Sequence, residues 1–138
     1  PGAVDLEALQ RAEEVISGMT DSYLNWVAED LKKIDEAFTK LANAKGDGKE
    51  ELDGIFQVSH DIKGQGGSFG YDLMTAIGNE LCRLIEKIDT AGPAETEAIK
   101  IHIDSMKLVM GEDMKGQGGK AGEKMLAGLQ QVCDKLVS

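Results

Sequence analysis

Apolar residues recur along most of this chain at intervals of three and four, and the strict alternation of a half-buried strand is nearly absent. Val4, Leu6, Leu9, Ala12 and Ile16 predict a short first helix, closed by Ser17-Gly18. Met19, Tyr23, Val27, Leu31, Ile34, Phe38 and Leu41 predict a long second helix, with Thr20 or Asp21 as its N-cap. The polar run Lys45 to Lys49 reads as a turn. Leu52, Ile55, Phe56, Ser59 and Ile62 stripe a third helix that ends in a glycine cluster. Leu73, Ile77, Leu81, Leu84, Ile85 and Ile88 stripe a fourth, ended by Ala91-Gly92-Pro93. Ile99, Ile103, Met106 and Met110 predict a fifth helix, and Met125, Leu129, Val132 and Leu136 a sixth.

Short turns between successive amphipathic helices make neighbours antiparallel. The expected fold is therefore all-α, an antiparallel up-down four-helix bundle core with additional N- and C-terminal helices. A length of 138 residues suits one domain. Its core is expected near residues 19–110, with the extra helices over 4–17 and 120–137. Only six aromatic residues are present, so Leu, Ile, Val and Met must fill that core. Trp26 stands one place before the stripe residue Val27 and is expected to be half-buried.

Charge narrows the partners. Fifteen Lys and Arg stand against twenty-five Asp and Glu, a formal net charge of −10, and no basic run offsets it. Such a chain is repelled by nucleic acid and by anionic membranes, so neither is expected as a partner. The acidic runs Glu29 to Glu36 and Asp47 to Asp53 read as solvated helix faces. Cys82 and Cys133 form no C-x-x-C pair and have no nearby histidine in sequence, which argues against a disulfide framework or a metal site. With no signal-like or membrane-spanning stretch, the sequence predicts a soluble, cytoplasmic protein.

Glycine is the anomaly: seventeen of them, against two prolines, in a chain otherwise built for helix. Each interior glycine costs a helix roughly 0.5–1 kcal/mol relative to alanine. Seven fall in two segments, Gly64 to Gly70 and Gly116 to Gly119. The first follows His60. On a helix, His60, Lys63, Gly64 and Gly67 share one face beside the apolar stripe. The glycines leave the imidazole accessible, and Lys63 supplies a mobile positive charge one turn away. An imidazole with a pKa near 6.5 is a nucleophile at neutral pH without a separate base. Phosphoryl transfer needs in-line access and charge stabilisation, both of which this face offers. No nucleotide-binding loop accompanies it, so the phosphoryl group must arrive from a partner. No cofactor is expected, and no autonomous kinase activity.

At His60, Ile62, Lys63, Gly64, Gly66, Gly67, Ser68, Phe69 and Gly70 the sequence resembles the histidine-containing phosphotransfer (HPt) domain family. The resemblance implies a four-helix bundle and a two-component phosphorelay role. It implies that His60 takes a phosphoryl group from one receiver-domain aspartate and passes it to another. It also implies that Lys63 stabilises phosphohistidine and that Gly64 opens the surface to the partner. Gly67, Gln57 and Ser68 are the further candidates for the partner surface. Response-regulator receiver domains are the expected partners, with a hybrid or chemotaxis-type histidine kinase as a further one.

The motif also looks like the phosphoacceptor domain of chemotaxis histidine kinases, in which a glutamate on the next helix orients the imidazole. Here that position falls on Cys82, with Asn79 one turn earlier, and these two are the candidate neighbours of the ring. Cysteine in place of that carboxylate favours a relay module over a kinase substrate domain. A non-catalytic acidic adaptor that binds receivers is the alternative from another class. His102, flanked by Ile101 and Ile103, is expected to be structural or at the surface. The segment Glu112 to Gly122 repeats the motif's spacing with glutamate in place of histidine. It is expected to be a flexible linker, with an anion-binding nest as the sharper alternative.

Overall fold

A computed structural model describes residues 5–137 as five α-helices. They are α1 (Leu6–Ala42), α2 (Lys49–Gly66), α3 (Asp72–Lys87), α4 (Pro93–Gly111) and α5 (Gly119–Val137). Helices α1 to α4 form the bundle, α1 lying against α2 and α4, and α3 against α2 and α4. The fifth packs on α3 and α4. Val4 of the expected first helix lies outside the described residues.

The first two expected helices are one. The Ser17-Gly18 step does not end a helix: α1 runs unbroken for 37 residues, and a Cβ at Gly18 would have no atom within 4 Å. One glycine lowers local helix stability by about 1 kcal/mol, too little by itself to stop a helix that contains no proline. Thr20 accordingly caps nothing; its hydroxyl donates back to the Ile16 carbonyl at 3.1 Å, inside the helix. The N-cap is Asp5, whose carboxylate accepts from the Glu7 and Ala8 amides at 3.0 and 3.2 Å.

Elsewhere the stripes pack as their spacing requires. Ile34, Ile55, Ile77, Leu81, Ile99, Met106 and Val109 are fully buried, giving an aliphatic core. Trp26 is more open than expected, at 55% exposure, because the α1 residues that turn inward are Tyr23, Val27, Ile34 and Leu41. Gly48 turns the chain from α1 into α2 at φ 76°, a left-handed conformation that favours glycine. Pro93 opens α4 at its first position, where its missing N–H leaves no bond unmade. None of the helices among the described residues is long and apolar enough to cross a membrane.

His102 shows how α4 and α5 are joined. Its side chain is fully buried, and Nδ1 lies 2.7 Å from the Ala98 carbonyl, which can only accept, so Nδ1 carries the proton. Nε2 is then left to accept from the Cys133 thiol at 3.6 Å. Burial pushes the imidazole pKa down, against smaller upward pulls from Ala98 and Glu80, and pushes the Cys133 thiol up to about 11. Both partners are therefore neutral at pH 7. The unfolded chain binds a proton at His102 below about pH 6.5 that the folded chain excludes. Stability should hold above that pH and fall as pH drops toward the depressed folded value, by at most about 1.4 kcal/mol per pH unit. Urea titrations between pH 7.5 and 5 should show this limb, and it should be missing in His102→Phe.

Candidate functional site

Helix α2 carries His60 in its fourth turn, on an edge that faces solvent, while Ser59 and Ile62 on either side turn into the core. The ring's aromatic neighbour is Phe56, one turn earlier, with centroids 6.2 Å apart and planes tilted by 31°. Gln57, Gly64, Gly67 and Ser68 are likewise exposed, so the face formed by His60 and the candidate partner residues is open. Lys63 is half-buried and forms no ion pair among the described residues, which leaves its ammonium available to an arriving anion.

The glycines of this segment divide by what surrounds them. A Cβ at Gly64 would have no atom within 4 Å. The fold therefore gains nothing from glycine there, and helix propensity alone favours alanine by about 1 kcal/mol. The position leaves open surface beside His60. Gly66 is different: its Cβ would lie 2.7 Å from Thr75 Oγ1 and 2.8 Å from the Tyr71 carbonyl. Gly67 ends α2, its amide donating to Thr75 Oγ1 at 2.9 Å. Gly70, at φ 85°, turns the chain toward α3. Gly64→Ala is expected to raise stability by about 0.5–1 kcal/mol in urea unfolding while slowing partner binding. A destabilised variant would show that Gly64 serves the fold after all.

Sequence reasoning missed Gly78. A Cβ on it would stand 3.1 Å from the Ser59 carbonyl and the Lys63 amide, and 3.2 Å from Lys63 Cα. Backbone thus meets backbone directly behind His60, and Ser59 Oγ donates to the Gly78 carbonyl at 2.9 Å across the seam. The signal was present as a small residue on each of two facing stripes. It lacked only the knowledge that those stripes meet. Asn79, next to Gly78, is half-buried beside this seam. Cys82 is buried, and its thiol is directed to the Phe56 carbonyl at 4.0 Å, with its pKa raised mainly by burial. Among the described residues no carboxylate pairs with the imidazole. On the α1 side, Asp30 is half-buried; burial raises its pKa, Lys33 opposes this, and Asp61 and Glu29 add to it.

The second glycine segment is not a flexible linker. The Gly116 amide donates to the Gly70 carbonyl at 2.6 Å, and the Leu73 amide donates to the Gly116 carbonyl at 2.8 Å. Tyr71 Oη donates to Asp113 Oδ1 at 2.6 Å, and burial with this carboxylate lifts the phenol to about 12. The segment clasps the turn that ends the His60 helix and satisfies an N–H at the start of α3. Gly116, Gly118 and Gly119 adopt φ of 60°, 74° and 62°, which the tight path requires. Of the amides an anion nest would draw on, those of Gly116, Gly118 and Gly122 are spent on backbone carbonyls.

A family profile described as the Hpt domain matches residues 18–109. The match spans most of the chain and the whole of α2 and α3, so the protein belongs to the Hpt domain family. Histidine phosphotransfer within phosphorelays is the function of that family, and its domains interact with response-regulator receiver domains and kinases. No curated protein and no solved structure matches the chain.

Proposed function

We propose that His60 is the phosphoacceptor and that the protein relays a phosphoryl group between receiver-domain aspartates. The observation that carries this reading is an open imidazole on α2 next to a glycine that its own fold does not need. An imidazole nitrogen attacks the phosphorus of an aspartyl phosphate; the N–P bond forms as the acyl O–P bond breaks, and the carboxylate leaves. The second transfer reverses these bonds on another receiver. Lys63 offsets the charge of the phosphorylated ring, and Gly64, Gly67, Gln57 and Ser68 make the surface on which the receiver rests. No step uses a cofactor. His102, enclosed between Ala98 and Cys133, takes no part. The bundle of α1 to α4 is the transferring unit, and α5 with the Gly116 clasp braces it.

A chemotaxis-type kinase would phosphorylate the same histidine, and an adaptor would bind receivers with no phosphate at all. One assay separates the three. A receiver phosphorylated with a labelled small-molecule donor is mixed with the protein, and label is followed onto it and then onto a second receiver. Label should move in both steps, and Lys63→Ala should slow each by about tenfold with unfolding unchanged, as expected for a charge-stabilising group at the surface. Receiver binding without label would establish the adaptor. Label accepted only from an ATP-driven kinase domain would establish the kinase substrate domain.

A further inference from the structure

Residues 6–19 of α1 are exposed without exception, and the helix's first buried residue is Tyr23. This leaves an arm of roughly 20 Å at 1.5 Å per residue, standing clear of the bundle. It is not a polar arm. Leu6, Val15, Ile16 and Met19 are 74, 62, 63 and 54% exposed, and Leu9 is nearly half exposed. Leu9, Ala12, Ile16 and Met19 recur at the alternating three- and four-residue spacing of a coiled-coil seam, with Leu6 and Val15 at its edges. The seam runs in phase into Tyr23 and Val27, which the bundle buries, and Phe69 and Tyr71 cover Tyr23 by stacking at 4.7 and 5.4 Å. The arm thus carries the core stripe beyond the groups that cover it.

We propose that this arm pairs in antiparallel fashion with the arm of a second copy of the chain. Charge favours a second copy over an oppositely charged partner. Glu7, Glu14 and Asp21 fall seven residues apart on the face opposite the seam, and Glu13 is the lone charge at the seam's edge. Apart from Glu13 the charges of the arm lie away from the seam, so the contact desolvates few charges and leaves the acidic face outward. A basic partner would find nothing on this face to bind. The antiparallel direction follows from repulsion: each chain carries a net charge of −10, and this direction sets the two bundles at opposite ends of the paired arms. It also sets Ala12 against Ile16 of the second copy, small against large, and places Leu9 against its Met19. The two seams remove on the order of 1,000 Å² from water, at the lower limit for a specific interface. The dimer is therefore weak and reversible.

Sedimentation equilibrium of the whole chain should show monomer and dimer with a dissociation constant on the order of 10–100 μM. Ile16→Glu should raise it at least about tenfold, by placing a charge in the seam, while leaving the thermal midpoint unchanged. Direction is read by oxidation: Ala12→Cys mixed with Ile16→Cys should cross-link far faster than either variant alone. His60→Gln should dimerise like the unchanged protein, so this result stands or falls apart from the phosphotransfer reading. A chain that stays monomeric at about 1 mM overturns the proposal, whether or not the arm then binds a receiver domain or lipid vesicles. Cross-linking within each single variant but not between them overturns the antiparallel arrangement.

Discussion

His60→Gln is expected to accept no detectable phosphate, a loss of at least about a thousandfold in transfer rate. Glutamine keeps polarity and approximate size but has no nucleophilic nitrogen, because its amide lone pair is delocalised. The fold should be untouched: His60 is exposed and its ring neighbour is Phe56, so the unfolding free energy should stay within about 0.5 kcal/mol. The second histidine cannot substitute, since His102 is fully buried with both nitrogens engaged. Label on the unchanged protein should be released by acid and retained in base, as a phosphoramidate requires. Equal labelling of His60→Gln would place the acceptor elsewhere and end the assignment.

Gly78→Val is expected to disrupt the packing of α2 against α3. The added atoms would meet the Ser59 carbonyl and the Lys63 amide, both at 3.1 Å from the first new carbon. These are backbone atoms, so no rotamer change relieves the clash and α3 must move away from α2. That movement also breaks the buried Ser59 Oγ to Gly78 carbonyl bond of 2.9 Å, leaving polar groups unpaired. Overpacking and the lost bond together predict a loss of about 2–4 kcal/mol in denaturant unfolding. Gly78→Ala should also destabilise, although alanine is the better helix former by about 1 kcal/mol. Gly64→Ala, one helix away and open on every side, should do the reverse. If Gly78→Ala proved as stable as the unchanged protein, the close approach of α2 and α3 would not limit stability. Phosphate acceptance by the Gly78→Ala variant would then report how far the position of His60 depends on that seam.

The helices were legible because their evidence is local. An apolar stripe at helical spacing shows in ten to twenty consecutive residues whatever lies across from it. Leu73, Ile77, Leu81 and Leu84 are buried in α3 as that spacing requires, and Ile99, Ile103 and Met106 in α4. His60 was legible for a similar reason, since Lys63, Gly64 and Gly67 lie within seven residues of it on one face. Gly18 was misread because a lone glycine weakens a helix without ending it, and α1 passes through it with no left-handed turn and no proline.

The glycines show where sequence stops. Seventeen were visible as an excess, but their roles differ by what stands within a few ångströms, and no local pattern records that. Gly64 faces open space, Gly78 faces the Ser59–Lys63 backbone, and Gly116 exchanges hydrogen bonds with Gly70 and Leu73. The polar, glycine-rich run Glu112–Gly122 reads locally as a flexible linker, whereas the carbonyl and amide of Gly116 clasp the turn that ends the histidine's own helix. By itself the sequence determined an all-helical chain and the one histidine set among small residues beside a lysine. Tertiary structure decided which glycines admit a partner and which admit another helix, that His102 is sealed, and that α1 outruns the bundle. The reason is physical: backbone conformation and side-chain chemistry are properties of neighbours along the chain, while close approach and burial belong to neighbours in space.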